Sequence, residues 1–237
     1  MRRLLGVMLP AVGCGELPVD PATTDEVFTL EACPGEGCVA WADGATPVEV
    51  QVHLNESVTQ LTDELSVDLK ASAGIWLFTD EGASTWTGTF GEDRGLSAFL
   101  VPPRDRDEVL LEADLAGYRR VAVLTLAPTP VESLTLSPTP TVLSTEGSTS
   151  LILTAQARTP NGGAPTHGTR VQITDVITSP EDIAWTSAPA EVWLDDLGTG
   201  TLNVHVGSGA ESVAVAVEAI LPDGSPGTNA EVQIFAE

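Results

Sequence analysis

The chain is poor in basic residues, and this shortage excludes several kinds of partner. Ten lysines and arginines stand against 34 aspartates and glutamates, so the formal net charge is −24 at pH 7. Nucleic-acid phosphates and anionic lipid headgroups require a basic surface, which this composition does not supply. We therefore expect no nucleic-acid partner. Because the acidic residues are scattered along the chain, they favour a role in solubility over the capture of cations or a basic partner.

Residues that carry catalysis are also scarce. The three histidines lie at polar positions of alternating segments (His53, His205) or in a Gly/Pro turn (His167), where exposed side chains are expected. No nucleophile elbow, phosphate-binding loop or H-E-x-x-H zinc motif is present. Asp195-Asp196 and residues 105–108 offer carboxylate oxygens to calcium, but their spacing matches no known calcium loop and favours solvated turns. These observations predict a protein that is not an enzyme and has no cofactor.

The N-terminal apolar run is too short to span a bilayer, which takes about 20 apolar residues. Two arginines, an apolar run over residues 4–12 and a glycine precede Cys14, the layout of a secretory signal peptide. Residues 11–14, Ala-Val-Gly-Cys, resemble the lipobox of bacterial lipoproteins. The resemblance implies that residues 1–13 are a signal peptide, that Cys14 carries a lipid anchor and that Gly15 favours the outer membrane of a Gram-negative bacterium. An ordinary signal peptide, with Cys14 incidental, is the alternative.

Three cysteines are an odd number for an exported protein. Lipidation of Cys14 leaves Cys33 and Cys38, which flank the turn-forming sequence Pro-Gly-Glu-Gly. An oxidising compartment favours a disulfide that closes this loop. Two free thiols or half of a metal site are the alternatives, although no second Cys or His pair lies nearby to complete a zinc site. We assign residues 14–44 to the lipidated N terminus, an extended tether (15–26) and this loop.

From residue 45 the sequence alternates between apolar and polar residues with a period of two. VEVQVHL, residues 48–54, places four aliphatic side chains on one face, and LSVDLKAS, residues 65–72, does the same. This alternation predicts half-buried strands, separated by breaks rich in Gly, Pro, Asp and Thr. Similar runs follow at residues 95–101, 107–115 and 119–126.

A second series of strand patterns begins after two prolines in LAPTPVES, residues 126–133. We therefore expect an all-β chain with two sandwich domains, at residues 45–127 and 128–237. Superposing Gly95-Leu-Ser-Ala-Phe-Leu on Gly200-Thr-Leu-Asn-Val-His suggests that the halves are distant copies of one module. The predicted strands of the second half lie at 131–143, 148–159, 169–174, 182–186, 190–196, 200–207, 211–221 and 230–236.

The second half resembles a known domain family. Residues 131–174, VESLTLSPTPTVLSTEGSTSLILTAQARTPNGGAPTHGTRVQIT, resemble the first half of bacterial immunoglobulin-like domains of the invasin and intimin type. DDLGTGTLNVHV, residues 195–206, resembles the turn and strand of the second half of such domains, and residues 48–126 fit the pattern more loosely. The resemblance implies two tandem immunoglobulin-like β-sandwiches that serve as spacers or adhesive elements on bacterial surfaces, without catalytic residues.

Four tryptophans form two pairs in the sequence: Trp76 and Trp86 flank LFTDEGAST, and Trp185 and Trp193 flank TSAPAEV. Aromatic side chains in sandwiches usually belong to the core. Alternatively, some stand exposed near a loop and form a platform for a sugar ring or a peptide. The function expected from the sequence is therefore a structural or adhesive display module of the cell envelope. The alternative is a lipoprotein that binds a carbohydrate or a peptide through exposed tryptophans.

Overall fold

The computed structural model describes residues 27–56, 58, 65–79, 85–91 and 93–237. The regular secondary structure of these ranges consists of 17 β-strands. Within the same ranges, no helix has the length and apolar character needed to cross a membrane. The predicted signal peptide, Cys14 and the tether at residues 15–26 lie outside the described residues.

The first sandwich contains eight antiparallel strands in two sheets. One sheet has the order β1-β2-β6-β4 and the other the order β5-β3-β7-β8. The alternation predicted from the sequence is confirmed in β2, where residues at every second position are buried. The strands are β1 (Phe28–Ala32), β2 (Val48–Leu54), β3 (Ser66–Ala71), β4 (Ile75–Trp76), β5 (Thr85–Thr89), β6 (Gly95–Val101), β7 (Glu108–Leu115) and β8 (Tyr118–Thr125).

The second sandwich contains nine strands, also in two sheets. Their orders are β13-β15-β11-β9 and β10-β17-β16-β12-β14, and all pairs are antiparallel except β10 with β17. The strands are β9 (Ser133–Thr139), β10 (Val142–Leu143), β11 (Thr149–Arg158), β12 (Arg170–Ser179), β13 (Trp185–Ser187), β14 (Glu191–Trp193), β15 (Thr199–Val206), β16 (Ser212–Ile220) and β17 (Pro226–Ala236).

Each sandwich encloses its own hydrophobic core. One cluster of buried residues runs from Val27 to Leu126, and the other from Val131 to Ile234. Most members are Val, Leu and Ala on the inward positions of facing strands. Burying a Val or Leu side chain contributes about 1.5–3 kcal/mol, so these positions supply the main driving force for folding.

The two sandwiches share one strand topology. β1, β2, β6 and β4 occupy the same sheet positions as β9, β11, β15 and β13, and β5, β3, β7 and β8 correspond to β14, β12, β16 and β17. The superposition of Gly95 on Gly200 therefore pairs the right strands, but in the wrong register. Leu96 and Leu100 face the core in β6, whereas Leu202 does so in β15. Compared with the alignment that matches the buried positions of the two strands, the proposed superposition is displaced by an odd number of residues. It therefore places core positions of one strand on solvent positions of the other.

Three strands of the first sandwich were not recognised in the sequence. β1 lies within residues 14–44, so the first sandwich begins before residue 45, where we expected it to begin. β1 has only five residues, and its pairing with β2 identifies it as a strand. β4 has two residues, and β5 carries Gly88 among threonines, so neither shows enough alternation to be recognised.

Candidate functional site

The predicted disulfide joins Cys33 and Cys38, whose Cα atoms are 5.5 Å apart. It lies where the chain passes from one sheet of the first sandwich to the other. Before it, β1 pairs with β2; after it, Trp41 forms a parallel bridge with Ala127, just beyond β8. β10 and β17 make the equivalent parallel contact in the second sandwich without a disulfide. The disulfide therefore fastens the crossover of the first sandwich.

Two of the four candidate tryptophans belong to the first core. Trp76 is only 2% exposed and is a member of that core, so it is not a surface contact residue. Trp86 is partly buried and packs against the same core. Its ring lies over Gly88, where an added Cβ would come within 2.1 Å of a ring carbon. The core interpretation therefore holds for both, because their strands turn these side chains inward.

The other two candidate tryptophans are exposed. Trp185 is 40% and Trp193 is 58% exposed. The guanidinium carbon of Arg170 lies 5.4 Å from the centre of the Trp193 ring, and Arg170 Nε lies 3.2 Å from a carboxylate oxygen of Glu191. The cation–π contact holds one side of the Trp193 ring. Trp185 and Trp193 lie on edge strands of different sheets, β13 and β14.

The histidines occupy surface positions, as predicted. His53, His167 and His205 are exposed. His205 Nδ1 lies 3.0 Å from the Ser150 hydroxyl, and His53 Nε2 lies 3.2 Å from the Gln51 amide oxygen. Both histidines therefore take part in cross-strand or same-strand surface contacts, and neither stands in an enclosed cleft.

At one of the two places suggested for calcium, a carboxylate accepts hydrogen bonds from the main chain of its own turn. Asp195 Oδ1 accepts hydrogen bonds from the N–H groups of Leu197 (2.9 Å) and Thr199 (2.8 Å). These bonds fix the turn that leads into β15. Among the described residues, no three His, Cys, Asp or Glu side chains come together in an arrangement that could hold a metal ion.

A network of hydrogen bonds joins the two sandwiches, and Arg104 stands at its centre. Arg104 lies between β6 and β7 of the first sandwich. Its guanidinium donates to the carbonyl of Pro165, through Nε (3.2 Å) and Nη2, and to the carbonyl of Asp196 (3.0 Å) through Nη1. The N–H of His167 donates back to the carbonyl of Arg104 at 3.1 Å. A cation thus caps carbonyls of two loops of the second sandwich.

The hydroxyl of Thr166 forms a second bridge at this junction. It donates to the carbonyl of Ala42 (2.9 Å) and accepts from the N–H of Thr129 (2.8 Å) in the linker. All three residues are buried. Since a buried main-chain group without a partner is costly, this hydroxyl fixes the linker against both sandwiches. Beside it lies an open cleft of about 440 Å³, lined by Arg106, His167 and other residues of both sandwiches.

Asp43 is the buried charge next to the junction and is 6% exposed. Its carboxylate accepts hydrogen bonds from the N–H groups of Ala45 (2.8 Å) and Thr46 (2.7 Å) and from the Thr46 hydroxyl. Burial raises the pKa of Asp43, but these hydrogen bonds outweigh it, and the pKa lies below its ordinary value of 3.8. Asn161 of the second sandwich donates to the Thr46 hydroxyl at 2.9 Å.

The sequence offered little sign of this junction. Arg104 stands in PPRDRDE, where a charged turn on the surface is the ordinary interpretation. Asp43 opens the segment Asp-Gly-Ala-Thr, whose spacing permits the side chain to cap its own turn. That local signal could have been recognised, whereas the partners of Arg104 are 61 and 92 residues away in the chain.

Comparison with solved structures identifies the fold. An adhesin of Yersinia pseudotuberculosis, InvE, is 17% identical, with a TM-score of 0.54 over 90% of this chain and 59% of that one. Invasin, described as a bacterial integrin-binding protein, is 16% identical, with a TM-score of 0.56 over 88% of this chain and 39% of that one. The chain thus spans less than two thirds of each. No family model and no curated protein matches it in sequence. The chain has the fold of the tandem immunoglobulin-like domains of invasin-type adhesins.

Proposed function

We propose that this protein is a non-catalytic module of the bacterial cell envelope, in which two immunoglobulin-like sandwiches form one stiff structural or adhesive unit. The bonded junction carries this proposal. Arg104 and Thr166 connect the first sandwich to the linker and to two loops of the second. Because the bonds of Thr166 satisfy buried main-chain groups, bending at the linker is costly, which suits a part that presents its surface at a fixed distance.

An adhesive role is supported by the proteins that share the fold. The two solved structures described above are named as an adhesin and as an integrin-binding protein. For the present chain the proposed partner is a protein or a carbohydrate at the cell envelope.

The proposed anchor is a lipid on Cys14. It is supported by the arginines, the apolar run over residues 4–12 and the small residue that precede this cysteine. A hydrophobic anchor would hold the strongly acidic sandwiches at a membrane that their charge does not favour. The outer membrane of a Gram-negative bacterium is the proposed location.

Intact mass spectrometry on the membrane-extracted protein, followed by protease treatment of whole cells, tests this function. We expect a lipid-sized added mass on a chain that begins at Cys14, and its loss in Cys14→Ser. The Cys33→Ser/Cys38→Ser variant is the matched control and should retain the lipid. Digestion of the sandwiches on intact cells supports display outside the cell. A soluble, unmodified wild-type protein would show that the envelope assignment is wrong.

Ligand binding through tryptophan is the second candidate function. The exposure of Trp185 and Trp193 favours it. Acrylamide quenching of tryptophan fluorescence, measured with and without a panel of soluble oligosaccharides, distinguishes it from a purely structural role. Protection of tryptophan fluorescence by a sugar would support this function if binding of the same sugar, measured by calorimetry, is lost in Trp193→Ala. Unchanged quenching with every sugar would exclude a carbohydrate platform at these rings.

A further inference from the structure

The loop between β11 and β12, residues 159–169, supplies several contacts of the second sandwich at the junction. The Pro165 carbonyl accepts from Arg104, and the Thr166 hydroxyl bonds to the first sandwich and to the linker. The same loop contains the pair Asn161-Gly162, and both residues are exposed. Asn161 is the one asparagine of the chain that precedes a glycine. The other asparagines precede residues that have a side chain: Asn55, Asn203 and Asn229.

An asparagine that precedes glycine can lose its side-chain amide without an enzyme. The main-chain nitrogen of Gly162 bonds to Cγ of Asn161, the C–N bond of the side-chain amide breaks, and that nitrogen leaves as ammonia with the proton of the Gly162 N–H. Water then opens the resulting succinimide ring at either carbonyl, which leaves an aspartate or an isoaspartate. Glycine favours ring closure because it has no Cβ to crowd the attacking nitrogen and its backbone is permissive. An added Cβ at Gly162 would meet no atom within 4 Å, so the surrounding space is open to water.

In the docked arrangement, hydrogen bonds hold both reacting groups. Asn161 Nδ2 donates to the Thr46 hydroxyl of the first sandwich at 2.9 Å. The Gly162 N–H donates to the carbonyl of Thr159 at 2.8 Å, in a turn that the Thr159 N–H closes onto the carbonyl of Gly163 at 3.0 Å. Ring closure must break the bond of the amide group and the bond of the attacking nitrogen. Because the first of these joins the two sandwiches, their separation removes it and their docking restores it.

The product of the reaction does not fit the same contact. The Thr46 hydroxyl donates its proton to the Asp43 carboxylate, so it offers only lone pairs to the side chain at position 161. An amide N–H matches these lone pairs, whereas an ionised carboxylate has no proton to donate. The new negative charge also faces a hydroxyl that is already bound to Asp43, so repulsion adds to the lost hydrogen bond. Isoaspartate in addition inserts one carbon into the main chain of the loop ahead of Pro165 and Thr166.

We propose that Asn161 is a site of spontaneous deamidation, which the docked junction protects and whose reaction weakens the junction irreversibly. Each separation of the sandwiches frees the amide group for attack, and each completed reaction removes a contact that would favour docking again. The fraction of modified chains therefore records how long the sandwiches have been apart. Both sandwiches keep their separate cores throughout. The inference rests on the geometry of the junction and goes beyond the proposed envelope function.

Peptide mapping by mass spectrometry measures the protection. The purified full chain is incubated in mildly alkaline buffer and sampled over time, and a synthetic peptide with the sequence of residues 158–165 is the unprotected reference. We expect Asn161 to react about tenfold or more slowly in the protein than in the peptide, because reaction there requires prior opening. Asn203 and Asn229, which are also exposed but lack a following glycine, should react more slowly still and serve as controls within the same digest.

Variants on both sides of the junction test whether docking is what protects Asn161. Thr46→Val should accelerate the reaction about fivefold, the change that corresponds to one ordinary hydrogen bond of about 1 kcal/mol. Arg104→Met leaves the contacts of Asn161 in place but removes the bonds to the second sandwich, and it should accelerate the reaction too. Arg119→Met is the matched control and should not, since Arg119 pairs with Glu112 within the first sandwich.

Asn161→Asp supplies the product without the reaction and tests its effect on the junction. We expect faster hydrogen exchange at the Thr129 amide and a broader distribution of distances between the sandwiches in small-angle X-ray scattering. Asn203→Asp makes the same change of charge at an exposed position of β15 and should alter neither.

Three results would each overturn the proposal. They are equal reaction rates in protein and peptide, a rate that Thr46→Val and Arg104→Met leave unchanged, and a junction that Asn161→Asp leaves intact. Because these measurements use purified protein and involve neither the lipid anchor nor a partner, their failure is distinct from a failure of the envelope assignment.

Discussion

Replacing Thr166 by valine should uncouple the two sandwiches. The substitution keeps the shape of the side chain but removes the hydroxyl that donates to the Ala42 carbonyl and accepts from the Thr129 N–H. Both main-chain groups are in buried residues, and each costs about 1–3 kcal/mol when left without a partner. Partial access of water at the junction reduces the sum, so we expect a loss of about 2–4 kcal/mol.

Hydrogen exchange at the Thr129 amide measures this loss directly. A loss of about 2 kcal/mol makes exchange at that amide about 30-fold faster, since each 1.4 kcal/mol is a factor of ten. Small-angle X-ray scattering should show a broader distribution of the distances between the two sandwiches. The amides of buried strands such as β16 should keep their protection, because the two cores are separate.

Thr169→Val is the matched control for this experiment. Thr169 is also buried, but its hydroxyl donates to the carbonyl of Thr166, within the same loop, at 2.7 Å. Its loss should destabilise the loop without changing the scattering profile. If Thr166→Val leaves both the Thr129 amide and the scattering profile unchanged, or if Thr169→Val changes them equally, the hydroxyl bridge is not what couples the sandwiches.

Two further perturbations concern the first sandwich. Replacing Cys33 and Cys38 by serine should lower the free energy of unfolding of the first sandwich by about 2 kcal/mol, the value for closing so short a loop. Urea denaturation should show no change in the second sandwich. An equal loss in both sandwiches would contradict the assignment of the disulfide to one crossover. Asp43→Asn should destabilise the first sandwich at pH 7. Because folding lowers the pKa of Asp43, the advantage of the wild type is complete above the ordinary value of 3.8 and disappears as the pH falls below it. Urea denaturation at pH 7 and pH 3 measures this, and a difference that is larger at pH 3 would refute the assignment.

Alternation in the sequence predicted most of the strands because each has one buried face. VEVQVHL becomes β2 with its valines and leucine buried, and the patterns at 95–101, 107–115 and 119–126 become β6, β7 and β8 within one residue at each end. The signal fails where strands are short or lie at edges. β4 owes its existence to Trp76 entering the core and to pairing with β6, neither of which leaves a periodic pattern in two residues.

The candidate site residues also differ in whether a local sequence pattern predicts their arrangement. The Pro-Gly-Glu-Gly turn between Cys33 and Cys38 brings the two thiols together through local geometry, so their pairing was predictable. The exposure of the tryptophan side chains was not predictable, because burial depends on which strand lies opposite. Trp76 and Trp193 both follow a branched aliphatic residue in the sequence, yet one is 2% and the other 58% exposed.

The sequence by itself determined the all-β architecture, the two sandwiches, the small disulfide loop and the strongly acidic surface, since each follows from periodicity, turn chemistry or composition along the chain. Only the tertiary structure decided which tryptophans reach solvent and how Arg104 and Thr166 join the sandwiches. These features bring together residues that are far apart in the chain. Their free energy comes from burial and from hydrogen bonds between distant segments, which leave no local pattern in a sequence.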